Sequence, residues 1–85
     1  MKAADLVRQG WAVGAMARDA HGVMCSPTSV QARSWCLVGA LICVYGRWNG
    51  DHWDGRAATL WNDAAGRTSE EVEALLTWKI GRAHV

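Results

Sequence analysis

Apolar and polar positions change register several times along the chain, and each change predicts an element. Ala3, Leu6, Val7 and Trp11 recur at helical spacing, with Gly10 where a left-handed stop belongs, so a first helix is expected over residues 2–9. In "WAVGAMARDAHGVMCS", small and apolar residues flank "RDAHG", whose Asp and Gly suit a tight turn. That predicts a short β-hairpin with strands near 13–17 and 23–25. "SPTSVQARSWCLVGALICVYG" reads as a central helix, with Pro27 early, Val30, Leu37, Val38, Leu41, Ile42 and Tyr45 inward, and Gly46 as its stop. From Trp35 onward it is apolar on every face, which a helix surrounded by other elements tolerates, and Gly39 at its middle is expected to let a neighbouring backbone approach. "RAATLWND" predicts a short third helix with Leu60 and Trp61 on its buried side, after a loop rich in Gly, Trp and charge. Finally, "TSEEVEALLTW" opens on a capping box, Thr68 to Glu71, followed by Val72, Leu75 and Leu76 at i, i+3 and i+4.

These elements predict an α+β fold, three to four helices around a Trp-rich core with a small β-hairpin packed on one side. With 85 residues the chain has room for one core, since a domain this small buries only about 60 % of the surface its unfolded chain exposes. A hydrophobic content of 51 % and six Trp nonetheless exceed what a disordered segment carries. A single compact domain over residues 1–78 is expected.

Nine basic residues against eight acidic ones leave little of the positive field that phosphate-backbone binding needs, so a DNA-coating role is disfavoured. Residues 1–9 are a charge-bearing amphipathic start rather than a signal sequence, and the uncharged run 35–45 is too short to span a bilayer. The expected location is the cytoplasm of a bacterial host cell. Cys25, Cys36 and Cys43 are odd in number and separated by ten and six residues, which is neither a disulfide framework nor the close-pair spacing of a zinc site. They are expected to be reduced thiols, and no cofactor or metal is expected.

The stretches "RSWCLVGAL" and "LWNDAAGRTSEEVEALL" resemble a small family of uncharacterised bacterial and phage proteins, a domain of unknown function. The shared pattern is W-C-x-x-G-A-L, W-N-D and T-x-x-E-V-x-x-L-L. Here it falls on Trp35, Cys36, Gly39, Ala40, Leu41, Trp61, Asn62, Asp63, Thr68, Glu71, Val72, Leu75 and Leu76. The resemblance covers most of residues 3–76 and implies the fold without transferring an activity; the chain departs from it most in "GRWNGDHWDG".

Asn62 and Asp63 have the chemistry of an active site, but both residue types also cap helices and hold turns, and that is the role expected of them. An apolar helix does not lower a thiol pKa, so no catalytic Cys–His pair is expected. Interface chemistry concentrates instead in "GRWNGDHWDGR". Arg47, Trp48, His52, Trp53, Asp54 and Arg56 are expected to meet a partner, with at least one of Trp48 and Trp53 tucked onto the core. Glu70, Glu71 and Glu73 most simply complement a helix N-terminus and would also suit a basic partner. The function expected is a non-catalytic protein-binding module, a phage or mobile-element inhibitor of a host defence complex such as a CRISPR effector, in the style of anti-CRISPR proteins. The chain would be a monomer or weak homodimer. The alternatives are a nucleic-acid accessory protein that stacks bases on the loop Trp residues and a small Cys/His enzyme.

The last seven residues, "KIGRAHV", neither cap nor continue a pattern. The codons AAG ATC GGA AGA GCA CAC GTC encode them, and that string resembles a common short-read sequencing adapter whose next triplet is a stop. Residues 79–85 are therefore expected to be a non-native tail. Without Lys79 and Arg82, seven basic residues face eight acidic ones.

Overall fold

The computed structural model describes residues 2–46 and 55–77. The expectations about Arg47, Trp48, His52, Trp53 and Asp54, and about the 79–85 tail, fall outside these residues. Helix α1 is Ala3–Gln9, strand β1 Ala17–Arg18, strand β2 Ser34–Trp35, and helices α2, α3 and α4 are Leu37–Tyr45, Gly55–Asn62 and Ser69–Leu75. The architecture is α+β. The strands pair antiparallel, Ala17 with Trp35 and Arg18 with Ser34. β2 packs on α1 and α2, α1 packs on both α2 and α4, and α3 packs on α2.

The core is built mostly from small and branched residues. Ala3, Ala4, Leu6 and Val7 of α1 meet Leu37, Val38, Ala40 and Leu41 of α2, Ala58 of α3, and Val72 and Leu76 from the α4 region. Alanines bring the helices close, and that close packing fills the interior without large side chains. Trp35 is buried among them, while Trp11 and Trp61 lie at the margin. Among the described residues, one tryptophan is buried in this core and two line it.

The predicted hairpin differs in its partner. The "RDAHG" turn forms, with Asp19 Oδ1 accepting from the backbone N–H groups of His21 and Val23, and Arg18 bridging Met24. The ladder itself is instead made with residues 34–35, and residues 13–16 form bends.

The central helix is also shorter than predicted. Residues 26–32 form two turns, within which the Ser26 and Ser29 hydroxyls accept from the backbone N–H groups of Thr28 and Gln31, local side-chain bonding that competes with a helix. Pro27 lies in the first turn, and Val30, expected inward, is 91 % exposed. The helix starts after Cys36, whose Sγ accepts from Gly39 N–H, and stops at Gly46, a left-handed cap with φ 81°. Gly10 is no left-handed stop: its φ of −174° is extended, and Trp35 N–H donates to its carbonyl. Glycine is needed there for room, since a Cβ would meet the Arg33 carbonyl and Ser34 Cβ.

In α3 the buried face is rotated from the prediction. Ala58 and Asn62 face inward, one turn apart, whereas Leu60 is 64 % exposed.

The α4 capping box forms as read. Thr68 Oγ1 accepts from Glu71 N–H at 3.3 Å, and Glu71 Oε1 accepts from Thr68 N–H at 3.0 Å. The Thr68 backbone N–H, and after it the Thr68 hydroxyl and the Arg67 guanidinium, hold the Glu71 carboxyl below the usual glutamate range. A lowered carboxyl pKa contributes stability above the unfolded value and loses it as pH falls through the folded one. Thr68→Ala is expected to cost about 1 kcal/mol at neutral pH while keeping most of the acid-side slope, because the backbone N–H of residue 68 and the Arg67 guanidinium still hold the Glu71 carboxylate. Thermal melts at neutral pH and down through the carboxylate range check both parts.

Candidate functional site

Among the described residues, Asn62, Asp63 and Cys36 are engaged in holding the fold. Asn62 is fully buried. Its Oδ1 accepts from Trp11 Nε1–H at 2.7 Å and from Leu37 N–H at 3.0 Å, and its Nδ2 donates to the Ala12 carbonyl at 3.0 Å and Asp63 Oδ1 at 2.9 Å. Asp63 Oδ1 also accepts from Gly14 N–H at 3.1 Å. The pair thus joins the end of α3 to the start of α2 and to the 11–14 segment. Their expected structural role is present, with a reach across the molecule that a capping role does not imply. A W-N-D triplet carries no sequence signal for that reach, because the partners are two backbone segments far away in sequence.

Cys36 is buried, and its thiol pKa is pushed up by burial, against the opposing hydrogen bonds from Gly39 and Val38. A thiol held protonated is a weak nucleophile, and this one acts as the α2 cap. Cys25 and Cys43 are half-buried and free. Among the described residues no three His, Cys, Asp or Glu side chains come together as a metal site.

The expected partner residues divide. Arg56 is exposed on the first turn of α3. Glu71 accepts from Arg67 Nη1 at 2.9 Å in addition to its capping bonds, and Glu73 Oε1 accepts from Arg8 Nε at 2.8 Å, tying α4 to α1. Glu70 takes a bond from the neighbouring Ser69 hydroxyl and is the most available of the three. The acidic start of α4 is therefore largely committed to its own fold. Arg67 also lies over the Trp61 ring at 3.9 Å and donates from Nε to the Trp61 carbonyl, which fixes the α3–α4 connection.

One surface feature was not foreseen from the sequence. Asp19, Ala20, His21, Gln31 and Arg33 line an open cleft of about 260 Å³. The backbone N–H of Val23, then that of His21, keep the Asp19 carboxyl below its usual range. The turn signal in "RDAHG" marks one wall; the other comes from the stretch predicted as helix, so the two could not be joined in advance. No helix among the described residues is long and apolar enough to cross a membrane. Comparison with protein-family models, with curated proteins and with solved structures found no match.

Proposed function

We propose that this chain is a non-catalytic protein-binding module, most concretely a phage or mobile-element inhibitor that occupies a host defence complex, with a CRISPR effector as the partner to try first. The observation that supports this reading is the division of labour among the side chains. Cys36, Asn62, Asp63, Glu71 and Glu73 hold the fold's own groups, whereas Val23, Met24, Val30 and Leu60 stand exposed and offer apolar area to a partner.

The test is capture of purified effector complexes by the tagged chain, together with inhibition of their nuclease activity. Trp53→Ala and Arg47→Glu are each expected to abolish capture while the melting temperature stays within a few degrees of wild type, since buried aromatic and Arg anchors carry most binding energy. Full capture by both variants would move the interface away from the loop. Steeply salt-dependent gel shifts without protein capture would favour the nucleic-acid reading instead.

A further inference from the structure

We propose that this chain forms a weak symmetric dimer through the backbone edge of residues 23–25, with Met24 of one copy paired antiparallel to Met24 of a second. The dimer stands apart from capture of a defence complex and uses no residue of the 47–54 loop.

The ladder creates the edge. Residues 23–25 run antiparallel to β1: Asp19 N–H donates to the Val23 carbonyl at 2.9 Å, Cys25 N–H donates to the Ala17 carbonyl at 3.0 Å, and Met24 faces Arg18 between them. Backbone groups alternate in direction along a paired strand, so the N–H and C=O of Met24 point away from β1. Neither makes a hydrogen bond among the described residues. Val23 is 60 % and Met24 66 % exposed, so nothing covers this side of the sheet. An outward N–H and C=O on one extended residue are matched by another extended backbone.

Charge and symmetry select a second copy as that backbone. Residues 20–32 contain no Asp, Glu, Lys or Arg. Open edges are commonly guarded against their own copies by charge or proline on the strand, and Met24 is neither. The same neutrality gives a charged partner nothing to complement. A twofold axis at Met24 sets each N–H against the other copy's C=O, so the unpaired groups of both copies are satisfied together.

The rest of the sheet limits the assembly to two copies. On the far side Trp35 N–H donates to the Gly10 carbonyl at 2.9 Å and Ala12 N–H to the Trp35 carbonyl at 3.0 Å, while Asn62 Nδ2 takes the Ala12 carbonyl at 3.0 Å. With that side closed, pairing of like edges ends at a dimer instead of growing into a fibre. The open edge is also short: Gly22 N–H turns inward to the Asp19 carbonyl at 3.0 Å, and the Ser26 carbonyl accepts from Ser29 N–H at 3.0 Å. So small a contact lies at the weak end of protein association.

The experiment is sedimentation equilibrium of the full chain from about 10 µM to about 1 mM, in reducing buffer so that the thiols stay free. Wild type is expected to dimerise with a Kd on the order of 100 µM. In a mixture of isotope-labelled and unlabelled copies, NMR should show a proton contact from residue 23 of one copy to residue 25 of the other, the close pairs that flank a Met24–Met24 centre. Met24→Pro removes the outward N–H without touching a bond to β1, and Met24→Lys sets like charges opposite each other across the axis. Both should weaken the dimer at least about tenfold with dispersed spectra. Leu60→Ala, as exposed but on α3, should leave it unchanged. A monomer throughout the range, a dimer without the 23-to-25 contact, or a dimer kept in both Met24 variants would each overturn the proposal, and the contact in wild type decides even where a variant fails to fold. A monomeric wild type whose capture of an effector complex is lost in Met24→Pro would overturn it in favour of an extended segment of that effector. Failed capture through Trp53 and Arg47 would leave the dimer standing on its own measurement.

Discussion

Asn62→Ala is expected to leave the chain largely unfolded at physiological temperature. The side chain is fully buried and serves two N–H donors, from Trp11 and Leu37, and one carbonyl, that of Ala12. Truncation leaves all three without their partner in a place water does not freely reach. An orphaned buried polar group costs about 1 to 3 kcal/mol, and although the three are not additive, a total on the order of 4 kcal/mol follows. A domain of this size has only about 4 to 13 kcal/mol to lose. The cavity adds to the loss, because Ala58 one turn away cannot expand into it. Circular dichroism melts and the composite tryptophan emission would report the change. A melt within a few degrees of wild type would mean that the polar node is not what holds α3 to α2. Asn62→Asp separates the contributions: it keeps the acceptor for Trp11 and Leu37, loses the donor to Ala12, and places a second carboxylate against Asp63. It too should destabilise at neutral pH.

Asn62 also marks where sequence reasoning stopped. Elements whose signal is local were legible: the α1 stripe, the Thr68–Glu71 box, the Gly46 stop and the Asp19 turn each depend on residues within four positions of one another. The segment 26–35 was not legible. Ser26, Pro27 and Ser29 are as suitable for a helix start as for a turn, and pairing with the distant Arg18 and Ala17 decided between them. In α3, apolar size pointed to Leu60, while the interior selected Asn62 because backbone groups of other segments needed a partner there. The candidate surfaces divide in the same way. A loop rich in Trp and Arg can be read from composition, whereas a cleft assembled from the 19–21 turn and the 31–33 segment requires the fold.

Gly39→Ala is the second change with a large expected effect, and two principles disagree on its sign. Alanine is the better helix former by about 1 kcal/mol, so propensity alone predicts a more stable protein. Space predicts the reverse. A Cβ at position 39 would run into the carbonyl group of Met16, which is main chain and cannot rotate aside as a flexible side chain would. Nor can that carbonyl retreat freely. It accepts from Cys36 N–H at 3.0 Å, at the cap of the helix that carries Gly39, and Met16 is followed directly by β1. Relief would require α2 to lift from the sheet, disturbing the packing of Leu37 and Leu41. Overpacking of this kind costs about 1 to 3 kcal/mol even where side chains can adjust, and a collision with main chain lies at the upper end. A net loss of about 2 kcal/mol is therefore expected after the propensity gain. Gly46→Ala is the comparison, since nothing lies within 4 Å of its Cβ position and its penalty comes from the left-handed backbone alone, about 1 kcal/mol. Denaturant titrations of the two variants should rank Gly39→Ala as the more damaging. If Gly39→Ala instead raises the midpoint above wild type, propensity has won and α2 does not lie against Met16 as closely as the structure places it.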